Sequence, residues 1–231
     1  MLFIIIIGFM IASLVVSNKL KNKFKKYSQI PLSSNLSGNE IAQLMLRDHG
    51  IYDVQVMSVA GQLTDHYNPA NKTVNLSPDV FNGRSAAAAA VSAHECGHAV
   101  QHATAYRYLE FRSAMVPIQS LSARIINFMF IAMFFGSMFM NNFLPMSSSI
   151  LIIIGCYAIF TLFAFLTLPV EYDASKRALA WIDERNIVTK SEHAMAKDAL
   201  DTAAQTYLIA ALSSLATLLY WVMVSMGGSR D

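Results

Sequence analysis

Four long apolar segments are the feature that most constrains how this chain of 231 residues can fold. They cover about residues 2–17, 125–140, 150–170 and 207–226, and none of them contains a charged side chain. A helix needs about 20 apolar residues to cross the hydrocarbon core of a bilayer, a length that the last two segments reach. Because 55% of the residues are hydrophobic and only 14% are charged, we predict a mainly α-helical membrane protein with four transmembrane helices.

The distribution of lysine and arginine predicts the orientation of these spans. Of the 17 Lys and Arg residues, 11 lie in residues 18–124 and five in residues 171–206, whereas the loop 141–149 has none. By the positive-inside rule, the two charged segments are cytoplasmic. We therefore expect three parts of the chain to lie outside: the N-terminus, the loop between the second and third spans, and the C-terminus with Arg230.

A basic run directly after the first span indicates a retained membrane anchor. No small-residue cleavage site of a secretory signal peptide precedes this run, which consists of Lys19, Lys21, Lys23, Lys25 and Lys26. Such a run stops translocation and contacts anionic lipid headgroups, so the lipid bilayer is an expected partner. The net charge of +2 gives no reason to expect nucleic acid as a partner, because binding of nucleic acid needs a pronounced basic surface.

The pattern His-Glu-x-x-His begins at His94, in the larger cytoplasmic segment. On a helix, His94 and His98 lie on one face, so both imidazoles can reach one metal ion. Ser85 predicts the start of that helix, and the small apolar residues that follow make unpartnered polar side chains costly. Glu95 lies at the edge of the same face, where it can accept a proton from a water molecule activated by zinc. We expect one zinc ion per chain, with Glu95 as general base.

A third zinc ligand must come from elsewhere in the chain. One branch of the zinc peptidases has another histidine six positions after the second, but Thr104 stands there. His102 cannot reach the same ion on a straight helix and is interpreted as a capping or packing histidine. Glu171 is the best candidate, because the charge pattern puts it on the same side of the membrane and Pro169 suits the opening of a helix with a face of small residues.

Several roles stay open. Glu171 could instead be an acid favoured by a helix dipole, and Asp173 could be either an acceptor for a ligand imidazole or a solvated acid. Cys96 points away from the two histidines and is interpreted as a small core residue, and a disulfide with Cys156 is not expected in a reducing cytoplasm. The sequence does not choose among four candidate donors to the oxyanion: His66, Tyr67, Tyr172 and His193.

The cytoplasmic residues before the motif predict a small α+β region. A capping box at residues 37–40 opens an amphipathic helix, and alternation over residues 52–56 predicts a strand. Residues 63–67 and 73–76 flank turn residues and predict a hairpin. Residues 73–76 are either a sheet edge that a peptide substrate would join as an added strand or part of an ordinary internal hairpin. A second capping box at Thr189 opens a helix that leads into the fourth span.

The chain resembles a known family in three places. Residues 63–69 read Leu-Thr-Asp-His-Tyr-Asn-Pro, residues 94–102 read His-Glu-Cys-Gly-His-Ala-Val-Gln-His, and residues 168–175 read Leu-Pro-Val-Glu-Tyr-Asp-Ala-Ser. They look like the YugP-type neutral zinc metallopeptidases of bacterial membranes, over nearly the whole chain and with the same order of spans. More distantly, the chain is similar to the membrane gluzincins that include the CAAX prenyl proteases and the heat-shock membrane proteases.

This resemblance implies a zincin-like site in which the zinc ligands and the base stand at four positions: His94, His98, Glu171 and Glu95. The relatives tend to have an aspartate four residues after the glutamate ligand, where this chain has Ser175, so the residue that supports the ligand histidine could be Ser175 or Asp173.

The sequence therefore predicts a zinc endopeptidase, built as a single domain over residues 1–231, with its site at the cytoplasmic face of a bacterial cell membrane. Its substrate would be a peptide or a membrane protein. One alternative is a zinc-binding membrane scaffold or assembly protein without turnover, and another is a membrane anchor in which the motif is a coincidence. The sequence determines neither the substrate nor the oligomeric state.

Overall fold

The computed structural model describes residues 1–139 and 145–227, without the side chains of 134–139, and these residues form seven helices and three strands. In chain order they are α1 (Leu2–Ser28), α2 (Gly38–Asp48), β1 (Gln55–Ser58), β2 (His66–Asn68), β3 (Thr73–Leu76), α3 (Pro78–Phe81), α4 (Ala86–Ala103), α5 (Arg107–Phe139), α6 (Met146–Glu184) and α7 (Lys190–Gly227). The fold is mainly helical with one small sheet, as the sequence predicted.

Four of the helices, α1, α5, α6 and α7, are long and apolar enough to cross a membrane, which confirms the predicted number of spans. The second span was predicted at about residues 125–140, and the helix on which it falls, α5, begins already at Arg107, because a helix can continue through charged residues. Met140, the loop residues 141–144 and Arg230 lie outside the described residues. The orientation that rests partly on them stays a prediction.

The chain divides into two compact units, of which unit 1 contains most of the apolar helical segments. Unit 1 comprises Met1–Leu14, Phe111–Thr167 and Tyr207–Asp231. In its described part, a buried cluster forms around Met129, Ile153 and Trp221. Many of its other apolar side chains are exposed, as expected for helices whose outer surface faces lipid. The prediction of a single domain over the whole chain stays a prediction.

Unit 2 comprises Val15–Glu110 and Leu168–Thr206 and contains the sheet. The strand order is β1-β3-β2, with β1 parallel and β2 antiparallel to β3. The predicted hairpin is confirmed as β2 and β3, although its first strand, predicted at residues 63–67, is His66–Asn68. The alternative that placed residues 73–76 at the sheet edge is wrong. β3 is paired on both sides and fully buried, so β1 and β2 are the edge strands. The strand predicted for residues 52–56 begins only at Gln55.

The predicted helix starts are confirmed by their caps. Ser37 and Glu40 form a reciprocal capping box at the start of α2. The Ser85 hydroxyl accepts a hydrogen bond from the N–H of Ala88 at the start of α4, and a further capping box opens α7 at Thr189. These bonds satisfy N–H groups that have no partner inside their own helices.

The prediction that Pro169 opens a helix is wrong, because Pro169 lies inside α6. Proline removes one backbone donor, and apolar helices tolerate this loss where neighbouring groups take up the freed carbonyl. Glu171 is therefore an interior residue of a long helix, and a helix dipole does not explain its position.

Candidate metal centre

Two histidines and a glutamate from two helices converge in unit 2. His94 and His98 lie one turn apart on α4, with ring centroids 4.8 Å apart. Glu171 approaches them from α6, with its Oε2 atom 3.3 Å from His94 Nε2 and 3.6 Å from His98 Nε2. The three potential ligand atoms lie within 4.8 Å of one another, so these residues could hold one metal ion.

The Glu171 carboxylate has an oxygen whose bonding is incomplete. Oε2 is buried and has no hydrogen-bond partner in the part of the chain that the structure describes, although buried polar atoms normally have one. Zinc binds imidazole nitrogens and carboxylate oxygens, and catalytic zinc sites use three protein ligands with one open position. The unsatisfied oxygen and the two imidazoles beside it therefore fit a zinc ion.

A proton and a metal ion would compete for the His98 imidazole. Burial acts to lower the pKa of the His98 imidazole, but the adjacent Glu171 carboxylate outweighs burial, so this pKa lies above its ordinary value. Because a histidine must be deprotonated to bind a metal, an ion bound here would displace that proton.

The helix that carries the two histidines is packed closely on both sides. Gly97 faces α6, where an added Cβ would meet the backbone of Ala174. Cys96 points into the core, where it is fully buried and its Sγ lies 3.6 Å from the carbonyl oxygen of Ala42 on α2. This confirms the interpretation of Cys96 as a core residue.

Ser175 supports the first histidine, since its Oγ lies 3.1 Å from His94 Nδ1. A hydroxyl can accept a hydrogen bond from Nδ1–H, which leaves the lone pair of Nε2 directed towards Glu171 and an ion. Of the two residues that the sequence left open as support for a ligand histidine, Ser175 is therefore the one that contacts His94.

Gln101 supports the second histidine. Its Oε1 lies 3.0 Å from His98 Nδ1, while its Nε2 donates to the Val170 carbonyl oxygen at 2.8 Å and to Asp173 Oδ2 at 2.9 Å. Because both N–H groups are used, the oxygen is left to face His98, which makes Nδ1 the donor and keeps Nε2 free of hydrogen. Arg177 in turn binds Asp173 at 2.6 Å.

Sequence reasoning missed Gln101. Its position three residues after His98 puts it on the same side of α4, and that spacing is the signal that could have found it. Asp173, whose role the sequence left open, contacts Gln101 instead of a ligand imidazole.

Glu95 lies beside the three potential ligands and is only 8% exposed. Its Oε2 accepts a hydrogen bond of 3.0 Å from the backbone N–H of Tyr67 on the edge strand β2. Burial raises the pKa of the Glu95 carboxyl above its ordinary value, although the charges of His94 and His98 act against this shift. A carboxylate whose pKa is raised is a stronger proton acceptor than an ordinary one.

The remaining candidates have other contacts. His102 Nδ1 lies 2.7 Å from the Tyr67 hydroxyl oxygen, so this histidine contacts β2. His66 Nδ1 lies 2.8 Å from a carbonyl oxygen of its own loop, and Tyr172 is exposed. The contacts of these side chains do not select a donor to the oxyanion, a question that stays open for His193 as well.

Comparison with known proteins relates this arrangement to a family. The family described as "Putative neutral zinc metallopeptidase" matches residues 2–226. The chain is 39% identical over 214 residues to "Putative membrane protease YugP" of Bacillus subtilis (strain 168), a match that covers 92% of this chain and 91% of the relative. No solved structure matches the chain.

Proposed function

The chain belongs to the family of neutral zinc metallopeptidases, and on that premise we propose that it is an endopeptidase whose zinc ion is bound by His94, His98 and Glu171. Glu95 acts as the general base. The observation that carries the proposal is the buried Oε2 of Glu171, which faces both imidazole Nε2 atoms and has no hydrogen-bond partner among the described residues.

The residues around this centre have separate roles in peptide hydrolysis. The zinc ion supplies Lewis acidity, which lowers the pKa of a water molecule towards about 7 and polarises the scissile carbonyl. Gln101 and Ser175 hold the two imidazoles with Nε2 towards the ion. Glu95 accepts the proton of the attacking water and passes it to the leaving amine, while the Tyr67 N–H fixes one of its oxygens.

The cytoplasmic face of a bacterial membrane is the proposed location of the reaction. His94 and His98 lie in residues 18–124 and Glu171 lies in residues 171–206, the two segments that hold 16 of the 17 Lys and Arg residues. Proteins in or beside the membrane are therefore the proposed substrates.

The zinc content of the purified protein tests the ligands. We expect one zinc ion per wild-type chain, and loss of stoichiometric zinc in Glu171→Ala, because removal of one of three protein ligands opens the site. Glu184→Ala is the matched control, since Glu184 is an exposed glutamate on the same helix. A wild-type protein without zinc would contradict the proposal.

Proteolysis tests the base and separates an enzyme from a zinc-binding scaffold. Glu95→Gln keeps the size of the side chain but removes the proton acceptor, so we expect zinc to be retained and cleavage of labelled casein to fall at least a hundredfold. Equal activity of the wild type and Glu95→Gln would exclude Glu95 as base. If neither cleaves any protein or peptide while both retain zinc, the scaffold alternative is favoured.

A further inference from the structure

One tyrosine connects the edge strand β2 to α4 at two points. The backbone N–H of Tyr67 donates to Glu95 Oε2 at 3.0 Å, and its hydroxyl lies 2.7 Å from His102 Nδ1. Glu95 and His102 are seven residues apart, which is two turns of the helix, so they lie on the same side of α4. The Tyr67 side chain therefore extends along α4 from the proposed base to its last turn.

We propose that His102 is a positioning residue for the general base: through the Tyr67 hydroxyl it holds β2 on α4, so that the Tyr67 N–H stays on Glu95. This inference rests on the proposed function, because it assumes that Glu95 takes the proton from water. It gives His102 a role beyond the capping or packing that its place in the sequence suggests.

The strand is short, and the two hydrogen bonds of Tyr67 attach it to α4. β2 has three residues and, within the described part of the chain, pairs with β3 alone. The preceding loop contains Leu63 and Gly61 at positive φ, 56° and 116°, and the His66 side chain is exposed. The phenol ring of Tyr67 packs with the His102 ring on α4 at a ring-centroid distance of 5.9 Å.

The bond between Tyr67 and His102 is expected to persist over a wide range of conditions. Burial and the charge of Asp53 raise the pKa of Tyr67 to about 12, so its hydroxyl keeps its proton at neutral pH. A neutral His102 accepts a hydrogen bond from this hydroxyl at Nδ1, and a protonated His102 donates one from Nδ1 to the phenol oxygen. Either form holds the strand.

A double-mutant cycle tests the proposal on the full-length, zinc-loaded protein in phospholipid nanodiscs, with fluorescein-labelled casein as the probe. Tyr67→Phe removes only the hydroxyl, and His102→Leu removes only the imidazole. We expect each variant to lower kcat about tenfold with KM changed less than twofold and zinc content unchanged, because a displaced base slows the chemical step. The double variant should lose no more than either single variant, since both act through one bond.

Two further variants separate positioning from a general loss of packing. His102→Gln offers an amide that can still bond to the phenol, so it should recover most of the activity that His102→Leu loses. Tyr52→Phe is the control for a lost hydroxyl, because Tyr52 is 81% exposed, and its activity should equal that of the wild type. Losses that multiply in the double variant, or no recovery in His102→Gln, would overturn the proposal.

Hydrogen exchange tests the attachment without any substrate. Amides of β2 should exchange at least fivefold faster in Tyr67→Phe and His102→Leu than in the wild type, while amides of α2 stay unchanged; unchanged exchange in β2 would overturn the proposal. Other results would reject the proposed function itself: a wild-type protein without zinc, or a Glu95→Gln variant that is still active. An inactive Glu95→Gln together with a fully active Tyr67→Phe rejects only the positioning role.

Discussion

Gly97 on α4 packs directly against Ala174 on α6, so closely that a Cβ at residue 97 would lie 2.6 Å from the Ala174 carbonyl oxygen. The proposed ligands lie close to this contact on both helices. His98 directly follows Gly97, and Glu171 precedes Ala174 by three positions. The missing side chain of Gly97 therefore allows the helix approach on which the metal centre depends.

Gly97→Ala is expected to move α4 and α6 apart, because the added carbon meets backbone that cannot rotate away. Overpacking of this kind costs about 1–3 kcal/mol, and we expect zinc affinity to fall at least tenfold, measured by competition with a chromogenic chelator. Gly155→Ala is the matched control, since an added Cβ there meets nothing within 4 Å. Unchanged zinc affinity in Gly97→Ala would show that the helices can adjust.

Gln101→Leu is expected to weaken zinc binding about tenfold to a hundredfold, the range found when a partner of a ligand histidine is removed. Leucine fills the same fully buried space but leaves His98 Nδ1 and the Asp173 carboxylate without their amide partner. Equilibrium dialysis against a zinc buffer measures the change. Gln43→Leu, at an exposed position on α2, should bind zinc as the wild type does, and equal affinity of both variants would contradict the role of Gln101.

Asp48→Asn is expected to reduce thermal stability in a way that depends on pH. Hydrogen bonds from the Arg185 guanidinium at 2.6 Å and the Trp181 indole at 2.9 Å hold the pKa of Asp48 below its ordinary value. Because the pKa is lower in the folded state, the contact stabilises the fold above the unfolded pKa of about 3.9 and is lost as the pH falls through the folded pKa.

We therefore expect Asp48→Asn to lower Tm by about 2–4 °C at pH 7, with a smaller difference from the wild type below about pH 4, measured by differential scanning fluorimetry between pH 3 and 7. Asp183→Asn changes an exposed aspartate nearby on α6 and should have little effect. A difference that stays constant over this pH range would show that the charge of Asp48 is not what stabilises the fold.

A topology measurement tests the side of the membrane on which the centre lies. A reporter fused after Met226 should be active outside the cell, and one inserted after Gly50, beyond the end of α2, should be active inside, as the distribution of Lys and Arg predicts. The reversed result would put Glu95 and the proposed ligands outside and would remove the cytoplasmic part of the proposal without affecting the chemistry.

Local sequence patterns predicted much of the secondary structure. The Ser37–Glu40 capping box, the N-cap at Ser85 and the hairpin of β2 and β3 are confirmed because each depends on residues within a few positions of one another. The prediction of a helix start at Pro169 was wrong because a proline suits a helix start but is also tolerated inside a long apolar helix. Helix α5 begins well before the second predicted span, because a helix can continue through charged residues such as Arg112 and Arg124.

The sequence by itself determined the number of apolar helices and the pairing of His94 with His98, since both follow from hydropathy and helical spacing along one segment. Only the tertiary structure decided how Glu171 meets the two histidines. The approach of Glu171 to them and the contact of Gly97 with Ala174 both join residues more than 70 positions apart. The tertiary structure also decided the Gln101 contacts and the hydrogen bond from Tyr67 to Glu95, most of which join residues closer in the sequence. Hydrogen bonds of this kind depend on how α4, α6 and the sheet pack, and packing has no periodic signature in a single sequence.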